Sequence, residues 1–551
     1  MDKPDVSLET APGKGWPLCR NPGSSGSQPV WRSLTAAAWV LGPVVGFGVY
    51  LRLARTQAVN SDGASQALQA WDMLHGNVLL HGWTMSDVTF YTTELPEYML
   101  VELVRGLNQD VVHVAAALTY TLAVLLAALL AKGTSTGREA VTRTLIAVGI
   151  MLAPQLAAGT LAVLSSPDHF GTSVPVMLVW VIVDRARPRW YVPVVTSLLL
   201  GWTEVADPTV FYIGVLPLVI VCAVRVGRAM AAGRQLAAQW HDIALGVGAL
   251  AGAAAAMFAL HLIEARGFHA WPASTNLAPL ATILRHNLDV TGDGLLLLAG
   301  ADFLVWPVSV TALFIMLHIA GLFLGACGIA VAAWRFPRER DMVAQVLLMS
   351  IVINLAAYLV GTHARSLGNT REISGVLPFG AALAGRLLGP RVAGAGLARR
   401  FAPALVVVLL GYVAGLGLEI SKPAVPAHAQ QLASWLEAHH LSTGLSGFWS
   451  SNVVTLTTGE RVSIRPVRVD GGRVYPFLDL QNADWYKPGR ATADFVVLYP
   501  GVVGYPGGVS GSAGFASWQA VLATFGKPAS TYRVGSFTVL VWHKNILADL
   551  G

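Results

Sequence analysis

The chain has 551 residues, 54% of them hydrophobic and only 12% charged, where soluble domains carry about 25% charged residues. With a mean hydropathy of +0.56, this excludes an ordinary soluble globular domain and points to an integral membrane protein. The net charge is +6, but the basic residues fall in short loops between apolar runs. Orientation in a bilayer explains them, and no nucleic-acid partner is expected. Cys19, Cys222 and Cys327 are not spaced as a metal site or a disulfide framework.

Residues 1–33, rich in Gly, Ser and Pro near their start, read as a disordered cytoplasmic tail rather than a signal peptide. About eleven later segments have the length and apolarity of a spanning helix: 34–54, 111–131, 143–164, 167–183, 190–206, 209–226, 241–264, 304–333, 342–361, 373–389 and 401–418. Alternate connections hold the basic residues: Lys132, Arg138 and Arg143; Arg185, Arg187 and Arg189; Arg225, Arg228 and Arg234; Arg335, Arg338 and Arg340; Arg386, Arg391, Arg399 and Arg400. The positive-inside rule places these loops in the cytoplasm. An odd number of spans then puts residues 419–551 outside. There, "AHAQQLASWLEAHH" and "FASWQAVLATFG" have helical patterns, the second ended by Gly526. "RVSIRPVRV" and "ADFVVLYP" read as strands, and "STYRVGSFTVLVWH" as a hairpin turning at Val534-Gly535-Ser536. The expected fold is therefore an α-helical polytopic membrane protein of about eleven spans (34–418, first outer loop 55–110). A small extracytoplasmic α+β domain (419–551) completes it.

The first outer loop opens "QAVNSDGASQALQAWDMLHGNVLLHGW". Ala64, Ala67, Leu68, Trp71 and Leu74 share one face of a helix too short and polar to span, a pattern that lies along a membrane interface. Ser61 or Asp62 is either the N-cap of that helix or, for Asp62, a carboxylate held beside a lipid-linked substrate. Further along, Asp87 lies among Trp83, Phe90, Tyr91 and Tyr98. That is either a sugar-binding carboxylate or part of an interfacial aromatic belt. "SSPDHFG" holds Asp168 and His169, cation ligands by type but too few for a full shell, or a tight turn. "TEVADP" adds Glu204 and Asp207. "LDVTGDG" lacks the spacing of a calcium loop. In "GTHARSLGNTREISG", His363, Arg365 and Arg371 suit a phosphate, which guanidinium binds bidentately; the alternative is snorkelling to headgroups. Trp449, Asp479, Trp485 and Tyr486 either line a glycan surface or form a small core.

One span, then a long outer loop opening with an acidic residue ("NSDGA"), then a helix in that loop: this arrangement resembles the GT-C superfamily of membrane glycosyltransferases. "GWTMSDVTFYTTELPEYMLVEL" and "VGSFTVLVW" are similar to an actinobacterial branch of it. The resemblance implies a polyprenyl-phosphate sugar donor, a cell-envelope glycan or protein acceptor, contact with membrane lipids and a site on the outer face of the plasma membrane. It assigns Asp62 as catalytic base. Asp168 and His169 fall where oligosaccharyltransferase-like members place a second acidic motif, and a divalent cation is compatible with it. Asp87, Arg365 and Arg371 complete the expected substrate-binding set. Protein O-mannosyltransferases carry an Asp-Glu pair in the first loop; here the pair is Asp62-Gly63. The competing readings are a transporter or flippase-like scaffold with an outer binding domain, or an inactive relative. No inverted repeat, Walker motif or Ser-His-Asp set is present.

Overall fold

The computed structural model describes residues 28–153, 160–272, 276–303, 306–394, 397–426, 430–499 and 518–550. The chain forms two compact units, Met1–Gly46 and Phe47–Gly551. The first contributes the start of α1 (Gln28–Ala54). The second holds α2 (Ser61–Leu74), α3 (Glu94–Arg105), α4 (Asp110–Lys132), α5 (Gly137–Met151), α6 (Thr160–Val163), α7 (Asp168–Arg185), α8 (Tyr191–Ala206), α9 (Leu216–Ala231) and α10 (Trp240–Glu264). It continues with α11 (Leu280–Thr282), α12 (Leu288–Leu298), α13 (Val310–Leu317), α14 (Ile319–Arg335), α15 (Met342–Val360), α16 (Val376–Gly394) and α17 (Leu397–Ser421). The C-terminal region adds α18 (Gln430–Ala438), α19 (Phe448–Thr457) and α20 (Trp518–Phe525).

Among the described residues, seven helical stretches are long and apolar enough to cross a membrane, or eight if the Leu367–Ile373 turn and α16, bent by 49°, form one span. The chain is thus a multi-pass membrane protein, with fewer such helices than the eleven expected. The shortfall has local causes. α7 carries Asp168, Asp184 and Arg185 within its 18 residues, and α8 has only 16. The expected 143–164 span begins within α5, which ends at Met151; residues 154–159 lie outside the described residues. The start of the expected 304–333 span also lies outside them.

The helical core gathers Tyr120, Phe170, Trp180, Leu347 and Phe379 among others. Tyr120 and Phe170 stack at 5.4 Å. α8 and α10 approach through small residues. A Cβ on Gly252 would sit 2.4 Å from the Ser197 carbonyl oxygen, and one on Gly201 2.7 Å from that of Gly252, as close helix packing in membranes requires. At one end of the bundle Arg386 binds Asp184 (2.5 Å), Asp341 and the Leu130 carbonyl (2.8 Å). That guanidinium ties α16 to α7, α15 and α4.

The C-terminal region forms a six-stranded sheet in the order β5-β4-β3-β7-β9-β8. Its strands are β3 (Thr443–Ser446), β4 (Ser463–Asp470), β5 (Arg473–Pro476), β7 (Phe495–Leu498), β8 (Ser530–Val534) and β9 (Phe537–Val541). β3 runs parallel to both β4 and β7; the other pairs are antiparallel. The alternation of strand side chains sends Phe495 and Val497 to the α18 side and Val496 to the α20 side, so both faces are covered. Strands β8 and β9 pair with Val534 opposite Phe537, as the hairpin pattern predicts. Gly526 takes φ +77 directly after α20. Residues 515–517 of the predicted helix lie outside the described residues.

A second, three-stranded sheet positions the site. β1 (Trp83–Met85) pairs with β2 (His269–Ala270) on one side and with β6 (Gln481–Asn482) on the other. It thereby ties the first loop to two distant segments. α19 lies against α2: Ser61 Oγ donates to the Phe448 carbonyl at 2.7 Å, and Asn452 Nδ2 to Ser65 Oγ at 2.6 Å. These contacts correct the interfacial reading of α2. Ten of its 14 residues are buried, against α3, α4 and α19, and its small apolar residues face protein.

Candidate functional site

Local backbone chemistry frees Asp62 for the site. The N-cap of α2 is Asn60, at φ −90° and ψ 165°, with Oδ1 accepting the Gly63 N–H at 2.8 Å. The cap is therefore neither Ser61 nor Asp62. Ser61 turns to α19 and Asp62 turns to Arg371. Residue 63 has no room for a side chain. A Cβ there would lie 2.8 Å from Val112 Cγ1 and 3.1 Å from Ser166 Cβ. A Glu at this position, as in the Asp-Glu pattern, would meet α4 and Ser166.

A carboxylate from elsewhere stands in that neighbourhood. Arg371, on the Leu367–Ile373 turn, donates from Nη1 to Asp62 Oδ2 at 2.8 Å and to Asp168 Oδ2 at 3.3 Å. Asp168 also accepts from Gln66 Nε2 at 2.9 Å and from Ser166 Oγ at 2.6 Å. Its side chain is 6% exposed, that of Asp62 14% and that of Arg371 33%. Asp168 has φ +38, a left-handed backbone that Asp tolerates better than most residues at a cost of order 1–3 kcal/mol. The surrounding bonds hold it there. One guanidinium faces two carboxylates, so this trio carries one negative charge in excess.

His169 turns away from its neighbour. Its Nδ1 meets Asp207 Oδ2 at 3.0 Å, and Asp207 also accepts from Thr172 Oγ1 (2.7 Å) and the Thr209 N–H (2.8 Å). Burial pushes the Asp207 carboxyl up, but His169 and the donated hydrogen bonds outweigh it and leave it below its ordinary range. Asp168 and His169 therefore do not converge on one cation. Among the described residues, no group of three or more His, Cys, Asp and Glu is placed to hold a metal ion.

No family model matches the chain, and no curated protein matches it in sequence. Solved structures do match. ArnT from Cupriavidus metallidurans bound to undecaprenyl phosphate superposes with a TM-score of 0.52 at 14% identity, over 95% of this chain and 100% of that one. The apo state of ArnT gives 0.53 at 14% identity, over 95% and 99%. The chain shares the fold of ArnT. The Archaeoglobus fulgidus oligosaccharyltransferase tethered with an acceptor peptide matches less well, with a TM-score of 0.45 at 14% identity over 84% of this chain and 69% of that one.

The other expected residues have other partners. Arg365 is exposed and donates from Nε to the local Thr362 carbonyl at 3.0 Å. Nearby, His363 Nδ1 meets Glu372 Oε2 at 3.0 Å. Asp87 is half-buried, and Asp479 of the C-terminal region feels its charge together with that of Asp62. Burial first, then those two carboxylates, push Asp479 up to about 6. Tyr486 and Trp485 do not form an open platform. Tyr486 is buried and donates to the Pro466 carbonyl at 2.6 Å. Trp485 lies under the Arg465 guanidinium at 3.6 Å and edge-on to Trp83 at 4.9 Å. The "LDVTGDG" stretch is helical, inside α12. Sequence reading made neither Gln66 nor Ser166 a site residue, and named Asp207 only as one of the two acids of "TEVADP". Gln66, one helical turn after Asp62, carried the one available signal.

Proposed function

We propose that the chain is a glycosyltransferase that moves a sugar from a polyprenyl-phosphate carrier to a cell-envelope acceptor on the outer face of the membrane. The observation that supports this most is the meeting of Asp62, Asp168 and Arg371. They come from three segments separated by as many as 309 residues. Asp62 Oδ takes the proton of the acceptor hydroxyl. The acceptor oxygen bonds to the anomeric carbon as the bond from that carbon to the phosphate oxygen breaks. Arg371 stabilises charge developing on the departing phosphate. The longer contact to Asp168, 3.3 Å, is the one that a phosphate oxygen replaces. Gln66 and Ser166 hold the Asp168 carboxylate in place, and Asp87 and Asp479, which feel each other's charge, accept hydrogen bonds from sugar hydroxyls. The ArnT structure with undecaprenyl phosphate motivates the choice of donor class.

The test uses the full chain in lipid vesicles with a panel of radiolabelled polyprenyl-phosphate sugars and envelope glycans. Wild type transfers label, and Asp62→Asn reduces transfer by about 100-fold or more, the scale of a lost general base. Transfer unchanged in Asp62→Asn removes that residue from the mechanism. No transfer by wild type with any donor favours the scaffold or inactive reading.

A further inference from the structure

The proposed chemistry leaves a row of buried acids unused. Glu94, Tyr98 and Glu102 follow each other at i, i+4 and i+8 along α3, so they share one face. They are 1%, 0% and 2% exposed. Glu94 Oε1, Tyr98 Oη and both carboxyl oxygens of Glu102 have no hydrogen-bond partner among the described residues. On α2, which packs against α3, Gln66 and Gln69 are each 1% exposed, and Gln66 Oε1 and Gln69 Nε2 are likewise without a partner. Buried polar atoms of this kind are bridged by ordered water in native proteins. Tyr98, in the middle of the row, feels the charge of Asp168, to which Gln66 also donates. Glu94 Oε1 faces Gly171 of α7, three residues after Asp168, where a Cβ would come within 2.3 Å of it. Glu102, at the other end, feels the charge of Glu460, an exposed residue beyond α19.

We infer that this row is a proton path, with Tyr98 and Glu102 as relays, from the Asp62–Arg371–Asp168 centre to solvent at Glu460. The inference rests on the transfer reaction proposed above. Donor and acceptor in place would cover the direct exit from Asp62, which is already 14% exposed without them. Each relay accepts a proton on one oxygen while its own O–H passes a proton onward. No electrons move, and one proton leaves the centre for water. Neutral acids suit this role. Burial pushes Glu102 up to about 9, and Glu94 well above the ordinary carboxylate range. The groups that act on the row from packed elements are Asp168, Asp207, Glu460 and, on α3 itself, Glu97, which burial raises to about 8 despite its bond from Thr119.

Two measurements on the full chain in nanodiscs test it. Infrared spectra at neutral pH, which need no substrate, should contain a protonated-carboxyl band. Glu102→Gln, isosteric with the neutral acid and so expected to fold, should remove part of that band. With an active donor, Tyr98→Phe and Glu102→Gln should each lower kcat by about 100-fold with KM unchanged and with a larger solvent isotope effect. Absence of the band, or kcat within twofold of wild type in both variants, overturns the path. If wild type transfers nothing, the reaction itself fails, and the infrared band still decides whether the row is protonated.

Discussion

Replacing Arg371 by Met tests whether the bridge is an energetic unit. The substitution keeps an unbranched apolar stem and removes both contacts, at 2.8 and 3.3 Å. A hydrogen bond to a charged group contributes roughly 1.5–3 kcal/mol. The Arg371 side chain is 33% exposed, so solvent screening favours the lower end of that range, and the 3.3 Å contact is the weaker. What counts against the variant is the charge left on Asp168, 6% exposed, beside that of Asp62. We expect Arg371→Met to lower the unfolding free energy by about 2–3 kcal/mol. In a double-mutant cycle, Asp62→Asn in the Arg371→Met background should recover about 1 kcal/mol, because the uncompensated charge is gone. Tryptophan fluorescence during denaturant unfolding of the purified chain in mixed micelles reads both values. A single-variant loss below about 0.5 kcal/mol, or a coupling within the roughly 0.3–0.5 kcal/mol scatter of independent sites, refutes the claim that the guanidinium holds the two carboxylates together.

Two further outcomes follow from the same region. Gly63→Glu restores the Asp-Glu pattern but places a Cβ 2.8 Å from Val112. Overpacking of this kind costs about 1–3 kcal/mol, and the variant should unfold earlier than wild type, with Val112→Ala restoring part of the loss; unaltered unfolding of Gly63→Glu would show that α2 can shift. Asp479, raised from its ordinary 3.8 to about 6 mainly by burial, binds its proton more tightly in the folded chain. Stability should therefore fall as pH rises between those values, by at most roughly 3 kcal/mol. In Asp479→Asn that slope should flatten, and an identical pH profile in the two proteins would place Asp479 in ordinary solvent.

The parts of the site legible in the sequence share one property. Asp62, Asp168 and Arg371 are charged groups in short segments flanked by apolar runs, where water alone does not account for them. Apolar periodicity also located the helices, although polar ends on α7 and the shortness of α8 were outweighed by the apolar residues between. The fate of α2 was not legible. Ala64, Ala67 and Ala70 pack with Tyr98 and Leu456, and a small-residue face reads the same whether it meets lipid or α19. The His169–Asp207 contact joins residues 38 apart, on helices whose crossing depends on tertiary packing. Asp168 and His169 are adjacent in the chain yet point to different partners, because a left-handed residue starts α7.

The seam between α2 and α19 joins residues 387 positions apart. During synthesis at about 5–20 residues per second, the helix bearing Asp62 therefore waits roughly 20–80 s for its cover. Until residues 448–457 emerge, Ser61 and Ser65 lack those partners. A ribosome that stalls after α17 is made but before residues 448–457 emerge leaves a nascent chain with its membrane helices made and that surface bare. Such a chain offers quality-control proteases a distinct recognition surface.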